Sequence, residues 1–202
     1  MLDINQLKIN LGQQKLSYHQ QINSGDIVTL QGVSGVGKSS LLLCIAGFIK
    51  ASEGSITWQD IDISKLAVEK RPVAMLFQEN NLFEHINVFK NACLGINFTD
   101  SASATRTITE AAEKLQIADQ LTKMPTQLSG GQRQRVGLLR TLLRPEPIIL
   151  LDEPFAELDS YTRSIAANWV ASIAKSENKT LLLVTHQVED VETLADHNWL
   201  MT

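Results

Sequence analysis

Apolar residues follow two patterns along the chain, one that alternates with polar residues and one that runs nearly unbroken. Residues 2–22 alternate, and this alternation predicts half-buried antiparallel strands. Later segments are short apolar runs, which are typical of strands buried inside a sheet with both faces covered. These runs are Ile27–Leu30, Val73–Phe77, Ile148–Leu151 and Leu181–Val184.

Strand patterns are missing between residues 88 and 144, where Ala, Leu, Glu, Gln and Arg dominate. This composition predicts helices, notably over 109–116 and 132–143, and Pro145 ends the last of them. A further amphipathic helix is predicted over 160–176, between two apolar runs. Because strands alternate with helices, we predict an α/β fold. It has a mostly parallel sheet covered on both faces, an antiparallel β region before it and an inserted helical segment.

Composition and charge restrict the class of protein. The chain has 202 residues, 44% of them apolar and 20% charged, which fits one globular domain with or without a small insert. A net charge of -4 argues against nonspecific nucleic-acid binding. Cys44 and Cys93 lack metal-ligand spacing and are interpreted as small buried hydrophobic residues of a reducing compartment. With neither a membrane-spanning run nor a signal peptide visible, we expect a cytosolic protein that reaches a membrane only through a partner.

The segment Gly32–Ser39 matches the P-loop pattern G-x-x-x-x-G-K-[ST], between a predicted strand and a helical run over 39–48. Its glycines let successive N–H groups converge on phosphate oxygens, and the helix start adds partial positive charge. Lys38 brings a charge to the β- and γ-phosphates, and the Ser39 hydroxyl is a Mg²⁺ ligand. A plain glycine-rich turn is the alternative, but it does not require that lysine and serine. The predicted nucleotide contacts are Gly32, Val33, Ser34, Gly35, Val36, Gly37, Lys38, Ser39 and Ser40.

Two acidic residues, Asp152 and Glu153, directly follow the apolar run Ile148–Leu151. In a doubly wound sheet the carboxyl end of such a strand lies near the P-loop. Asp152 is therefore predicted to hold Mg²⁺, directly or through water, and Glu153 to polarise the attacking water. A strand that ends in solvated acids is the alternative, and the presence of a P-loop favours the functional interpretation.

The pentapeptide Leu128–Gln132 is the second strong motif. As a capping box, Ser129 would begin a helix and Gln132 would bond back to it. That interpretation leaves Gly130 and Gly131 unexplained, since each costs about 0.5–1 kcal/mol relative to alanine in a helix. The glycines make sense if another group approaches this backbone closely, and a helix start with a serine hydroxyl is an anion site.

These motifs, in this order along nearly the whole chain, resemble those of the ABC-type ATPases. The resemblance implies a P-loop NTPase core of the RecA-like kind over residues 1–86 and 146–202, with a helical insert at 87–145. It also implies a head-to-tail homodimer that holds two ATP molecules. Each ATP would lie between the P-loop of one copy and Ser129, Gly130, Gly131 and Gln132 of the other.

The resemblance assigns further roles by position. Gln78 corresponds to the glutamine that senses Mg²⁺ and the attacking water, so the implied metal ligands are Ser39, Gln78 and Asp152. His186 corresponds to the histidine that bonds the γ-phosphate beside Glu153. The implied catalytic residues are Glu153, His186, Lys38 and Gln78. Asp159 corresponds to an acid that crosses the dimer interface, although by itself it reads as a helix N-cap.

The segment Arg71–His85 is similar to importer subunits, most of all to the ATP-binding subunits of bacterial thiamine importers. This similarity implies an ATP-hydrolysing motor at the cytoplasmic face of the bacterial inner membrane. Its partners would be membrane permease subunits and, indirectly, a periplasmic solute-binding protein, with no nucleic acid. The groove for the permease would be lined by Phe83, Ile86, Val88 and Phe89, unless these residues are core. The alternatives are a soluble ABC-type ATPase in DNA repair and a noncatalytic nucleotide-binding regulator.

The chain departs from the family at several positions. Leu11 stands near the place of the aromatic residue that stacks on adenine in relatives, and Tyr18, the nearest aromatic, is expected in the core. Glu157 stands where a small residue is usual, and we expect its negative charge to weaken the closed dimer. The sequence also ends at Trp199–Thr202, inside an expected late strand with an exposed edge.

Overall fold

Two β-sheets, one antiparallel and one parallel, form the frame of residues 1–12, 14–79, 82–96 and 101–201, which are the residues that the computed structural model describes. The strands are β1 (Leu2–Leu11), β2 (Gln14–Ile22), β3 (Ile27–Gly32), β4 (Glu53–Trp58), β5 (Ile61–Asp62), β6 (Val73–Leu76), β7 (Ile148–Asp152), β8 (Thr180–Val184) and β9 (His197–Met201). The helices are α1 (Lys38–Ala46), α2 (Val88–Cys93), α3 (Ser101–Lys114), α4 (Gly130–Leu142), α5 (Ser160–Ser176) and α6 (Val188–Leu194).

The antiparallel sheet has the order β2-β1-β4-β5, and the parallel sheet has the order β6-β7-β8-β3-β9. In the parallel sheet Asp152 pairs with Val184, so β7 and β8 end at the same level, and Val184 pairs with Leu30 of β3, which continues to Gly32. The predicted fold class is therefore confirmed. Within the part of the chain that is described, no helix has the length and apolar character needed to cross a membrane.

Successive residues of the parallel strands face two separate apolar clusters, as the pleat of a strand requires. One cluster joins the sheet to α1 and the antiparallel sheet, and the other joins it to the helices α2 to α6. Sheet residues in the first cluster are Val28, Leu30, Ile148, Leu150, Leu182 and Val184. Those in the second are Ile27, Ala74, Leu76, Ile149, Leu151, Leu181 and Leu183.

Burial differs between the central strands and the edge strand. All residues of β7 and β8 are buried, as their apolar runs predict. In β6 only Ala74 and Leu76 are fully buried, whereas Val73 and Met75 are half-buried. The expectation that Val73–Phe77 is covered on both faces is therefore wrong, because β6 lies at the edge of the sheet and one of its faces is only partly covered.

Arg71 holds the C-terminal end of α1 in place. Its guanidinium, which is buried, donates hydrogen bonds to the carbonyls of Cys44 and Ile45 at 2.8 Å each. It also donates to the carbonyls of Ser64 at 2.7 Å and Leu66 at 3.1 Å. The last carbonyls of a helix lack their regular partners within it, and although the Gly47 N–H also donates to the Cys44 carbonyl, the Arg71 side chain supplies a donor to the Ile45 carbonyl and to the two loop carbonyls.

We predict that Arg71→Met lowers the free energy of unfolding by about 3 kcal/mol, because it leaves several buried carbonyls without a donor. Urea denaturation followed by circular dichroism measures the loss. The matched control is Lys70→Met, at the exposed neighbouring position, which is expected to change stability by less than about 0.5 kcal/mol. Equal stability of the two variants would contradict the capping role.

Candidate functional site

The loop between β3 and α1 curls in the left-handed conformation that its glycines permit. Gly35 has φ 83° and Gly37, which precedes the first residue of α1, has φ 108°. At Gly37 a Cβ atom would lie 2.4 Å from the Tyr18 hydroxyl, and that hydroxyl donates to the Gly37 carbonyl at 3.0 Å. Tyr18 is buried, as expected, and burial raises its pKa to about 12. Tyr18 therefore supports the loop from beneath.

Lys38 turns its ammonium group back under the loop. Its Nζ donates to the carbonyl of Gly32 at 2.8 Å and to that of Val33 at 3.0 Å, and only 6% of the residue is exposed. An ammonium group has three donors, so one remains for another acceptor. The curled loop, the Lys38 ammonium group and the start of α1 thus lie together, which is the arrangement that binds phosphate groups.

Ser39 and Asp152 meet across the sheet, at the first turn of α1 and the end of β7. The Ser39 hydroxyl donates to Asp152 Oδ1 at 3.1 Å. Burial raises the pKa of Asp152 and the charge of Glu153 raises it further, whereas the bond from Ser39 and the charge of Lys38 lower it. A hydroxyl and a carboxylate are hard oxygen donors that suit Mg²⁺. In the described part of the chain no three His, Cys, Asp or Glu side chains form a metal site by themselves, so phosphate and water oxygens would complete the coordination.

Glu153 and His186 stand next to each other at the carboxyl ends of β7 and β8. His186 Nε2 lies 3.2 Å from Glu153 Oε1, and both side chains are partly exposed. Glu153 adopts φ 48°, a left-handed conformation, and its N–H donates to the Val184 carbonyl at 3.1 Å. The carboxylate is thus held open to solvent beside an imidazole, a geometry in which it can accept a proton from water.

The segment that carries His186 is anchored by Asp190 of α6, a residue to which the sequence analysis gave no role. The Thr185 hydroxyl donates to the Asp190 carboxylate, and the Gln187 N–H donates to the Thr185 hydroxyl at 3.1 Å. Asp190 is buried, and burial raises its pKa. An acid on the polar side of a short helix gives no sequence signal for such a role.

Ser129 begins α4 as a capping box. Its hydroxyl accepts from the Gln132 N–H at 3.3 Å, and the Gln132 side chain accepts from the Ser129 N–H at 2.9 Å. The capping interpretation is confirmed. A Cβ at Gly130 would lie 1.7 Å from Glu157 Oε2, and one at Gly131 would lie 2.9 Å from the Glu157 carbonyl. The close approach that the glycines predict is therefore made, within one protomer, by Glu157.

Gln134, which the sequence analysis missed, ties α4 to the segment after β7. It is 2% exposed, its amide donates to the Glu153 carbonyl at 3.0 Å, and it accepts from the Glu157 N–H at 2.8 Å. A glutamine among the apolar positions of α4 is the signal that could have revealed it, because a buried amide requires partners.

Gln78 follows β6 and lines a polar groove of about 840 Å³ together with Gly130 and Glu157. Asp159 is the N-cap of α5 and accepts from the Tyr161 and Thr162 N–H groups, so its capping role is confirmed. The bonds from Thr162 lower the pKa of Asp159. The site residues thus form two groups, the P-loop with Asp152, Glu153 and His186, and the start of α4 with Gln78 and Glu157.

The end of β1 and the start of β2, where Leu11 pairs with Gln14, lie beside the P-loop. Leu11 is 36% exposed there, and the Gln14 side chain donates to the Gly35 carbonyl at 2.8 Å. The intervening Gln13, and also Asn80 and Asn81 of the importer-like segment, lie outside the described residues.

A second groove, of about 380 Å³, separates the end of α1 from α4. The large apolar side chains Phe48, Phe83 and Leu94 line it and are about half exposed. Arg140 also lines it, with its guanidinium 5.8 Å from the centre of the Phe83 ring. This groove combines an apolar wall with cationic groups.

Among the four residues expected to line a permease groove, Phe83 is the one that lines this groove. The expectation that Val88 lines the groove is wrong, because Val88 is the first residue of α2 and is fully buried against the sheet core. Ile86 and Phe89 are half-buried, and Phe89 packs against the same core. Arg133, Arg140 and Arg144 are all half-buried.

Comparison with known proteins identifies the family. Residues 17–156 match the family model described as ABC transporter. The chain is 41% identical over 197 residues to the thiamine import ATP-binding protein ThiQ of Vibrio cholerae, covering 96% of this chain and 83% of that one. It is 43% identical over 176 residues to the protein of the same name from Escherichia coli, covering 86% of this chain and 76% of that one.

Solved structures show the same fold. A dimeric bacterial ABC transporter cassette superposes with a TM-score of 0.84 at 25% identity, covering 96% of this chain and 91% of that one. A cassette in a dimeric post-hydrolysis state with ADP and phosphate gives a TM-score of 0.87 at 24% identity, over 100% and 94% of the two chains. The family model spans more than half of this sequence, and the resemblance drawn from its motifs is confirmed. The chain therefore belongs to the ABC transporter family.

Proposed function

We propose that this chain is the ATP-hydrolysing motor subunit of a bacterial ABC importer, with thiamine or its phosphates as cargo. The observation that carries the proposal is the meeting of a P-loop, the Asp152–Glu153 pair and His186 at one edge of the parallel sheet. The cargo is proposed from the relatives, which are named for thiamine import.

ATP is proposed to bind with its phosphates against the loop and helix start formed by residues 32–40. The loop N–H groups and the start of α1 would hold the phosphate oxygens. The third donor of the Lys38 ammonium group would bond the same phosphates. Ser39, Asp152 and Gln78 are the residues that would hold Mg²⁺, which when bound neutralises charge on the phosphates. The contact between Ser39 and Asp152 supports that assignment.

Hydrolysis is assigned to Glu153 and His186. The Glu153 carboxylate orients a water and accepts its proton, and the imidazole beside it fixes the carboxylate and donates toward the γ-phosphate. A noncatalytic regulator has no need of this pair. A DNA-repair ATPase is not favoured either, since the relatives are named for import and the chain is net acidic.

A head-to-tail homodimer is proposed to complete each nucleotide site. The start of α4, with Ser129 to Gln132, belongs to a different group of residues from the P-loop, so one protomer offers two half-sites. Asp159, at the exposed start of α5, is proposed to cross between the copies. The similar solved cassettes are described as dimers, which supports this arrangement.

The groove between α1 and α4 is proposed to receive a membrane permease subunit at the cytoplasmic face of the inner membrane. Phe48, Phe83 and Leu94 offer it half-exposed apolar surface. Closure of the dimer on ATP binding would then move the permease, which in turn meets a periplasmic solute-binding protein. The boundaries at residues 86 and 145 are proposed as the limits of the helical insert that transmits the motion.

We predict that Asp152→Asn stabilises the fold while it weakens Mg²⁺-dependent ATP turnover. Burial raises the pKa of Asp152, so its ionised form opposes folding at neutral pH, and the neutral amide should add up to about 1 kcal/mol. The gain should disappear as the pH falls through the raised pKa, because the parent carboxyl is then neutral as well. Thermal unfolding against pH measures it, with the exposed Asp60→Asn as control, and a destabilised but active variant would contradict it.

We predict that Glu153→Gln still binds ATP but turns it over at least about 100-fold more slowly, because the amide cannot accept the proton of water. ATP should convert the variant into a stable dimer, measured by size-exclusion chromatography with light scattering. Lys38→Ala is the companion variant and should bind no ATP by isothermal titration and form no such dimer. Wild-type hydrolysis by Glu153→Gln would remove Glu153 from the mechanism.

We predict that the double substitution Phe48→Ser with Phe83→Ser abolishes co-purification of the chain with its co-expressed membrane subunits, because the apolar wall of the groove is lost. Thiamine-stimulated ATPase activity of the reconstituted transporter should be lost with it. Leu200→Ser, at an exposed apolar position on β9, is the matched control and should leave both unchanged. Retention of the membrane subunits by the double variant would exclude this groove as the docking site.

A further inference from the structure

The segment that follows β7 returns to the start of α4 within the same protomer. Gln134 holds both ends of that segment, because its amide bonds the Glu153 carbonyl at 3.0 Å and the Glu157 N–H at 2.8 Å. Since Gln134 is buried, the backbone of Glu157 is fixed against the first turn of α4. The Glu157 side chain therefore extends from a backbone whose position is fixed relative to α4.

The Glu157 carboxylate occupies the space beside Gly130. A Cβ atom built at Gly130 would lie 1.7 Å from Glu157 Oε2, a distance at which no side chain fits. At Gly131 it is the Glu157 carbonyl that comes within 2.9 Å of the corresponding position. Glu157 thus occupies the space that a side chain would need at both glycines, with its carboxylate at Gly130 and with its backbone carbonyl at Gly131.

The electrostatics of this contact are favourable in a single protomer. The first N–H groups of a helix have no carbonyl to bond within it, and the first turn of α4 contains no acidic residue. A negative charge at such a helix start is stabilised by the partial positive charge of these free N–H groups. Glu157 supplies this charge from a different part of the chain.

We propose that Glu157 is an internal competitor for the nucleotide. Its carboxylate covers the start of α4 in the free protomer and must move away before the γ-phosphate of the partner's ATP takes the same place. The inference rests on the proposed function, because it needs Ser129–Gln132 to meet the partner's ATP. Its consequence is a raised ATP concentration for dimer closure, since each closure displaces a favourable contact and brings two anions together.

The surroundings allow the displacement. Glu157 is exposed, so its side chain can rotate while Gln134 holds its backbone. Arg133 lines the same polar groove, its Nη1 lies 3.9 Å from Glu84 Oε1, and its Nε has no hydrogen-bond partner among the residues described. The displaced carboxylate therefore has a cation on the groove wall to turn toward.

The test compares ATP-driven dimerisation in the Glu153→Gln background, which retains ATP. Glu157→Gln and Glu157→Ala are each added, and the ATP concentration for half-maximal dimer is measured by analytical ultracentrifugation. Both should lower it by roughly twofold to fivefold relative to Glu153→Gln alone. Glu192→Gln, which removes an exposed carboxylate of α6, changes the net charge equally and should leave the midpoint unchanged.

The outcomes separate this inference from the function on which it rests. If Glu153→Gln forms no ATP-dependent dimer, the proposed function fails and the inference falls with it. If the dimer forms but both Glu157 variants need as much ATP as the parent, only the competitor role of Glu157 is overturned. That role is also overturned if Glu192→Gln shifts the midpoint as much, or if the Glu157 variants change ATP affinity of the protomer by the same factor, since the effect would then be general electrostatics.

Discussion

The parallel pairing of β7, β8 and β3 is the constraint on which the site depends. Asp152 pairs with Val184, so β7 and β8 end at one level, and Val184 pairs with Leu30, two residues before the end of β3. The hydrogen bonding continues one step further, because the Glu153 N–H donates to the Val184 carbonyl at 3.1 Å. The P-loop, Asp152, Glu153 and His186 all lie within a few residues of this edge of the sheet. A shift of register would move the acids, the histidine and the P-loop away from one another.

Those strands are also the elements that the sequence predicts best. β7 and β8 are unbroken apolar runs buried on both faces, and such runs admit few alternatives once turn residues bound them. The P-loop and the capping box of α4 are local motifs whose geometry follows from a few neighbouring residues. Prediction fails where long-range packing decides, as at β6, which lies at the edge, and at Val88, which α2 turns into the core.

The residues that support the site could not be predicted from the sequence, for a related reason. Gln134 and Asp190 are polar residues on helices, and their partners lie in segments that only the fold brings near. Asp152, in contrast, is predicted from the sequence because it directly follows an apolar strand. The structure adds that its carboxylate is desolvated there. Burial raises the pKa of Asp152, because desolvation at the edge of the core disfavours the ionised carboxylate. A fold selected for stability alone would have a neutral residue there.

Gln134 joins the two groups of site residues into one mechanical unit. The carbonyl it bonds belongs to Glu153, at the catalytic edge, and the N–H it bonds belongs to Glu157, at the start of α4. Because the amide is buried and both its bonds are to backbone, neither end of the 153–157 segment can shift without straining the other or leaving a polar group unpaired. Gln134 is therefore the direct link, within one protomer, between the backbone of Glu153 at the catalytic edge and the backbone of Glu157 at the start of α4.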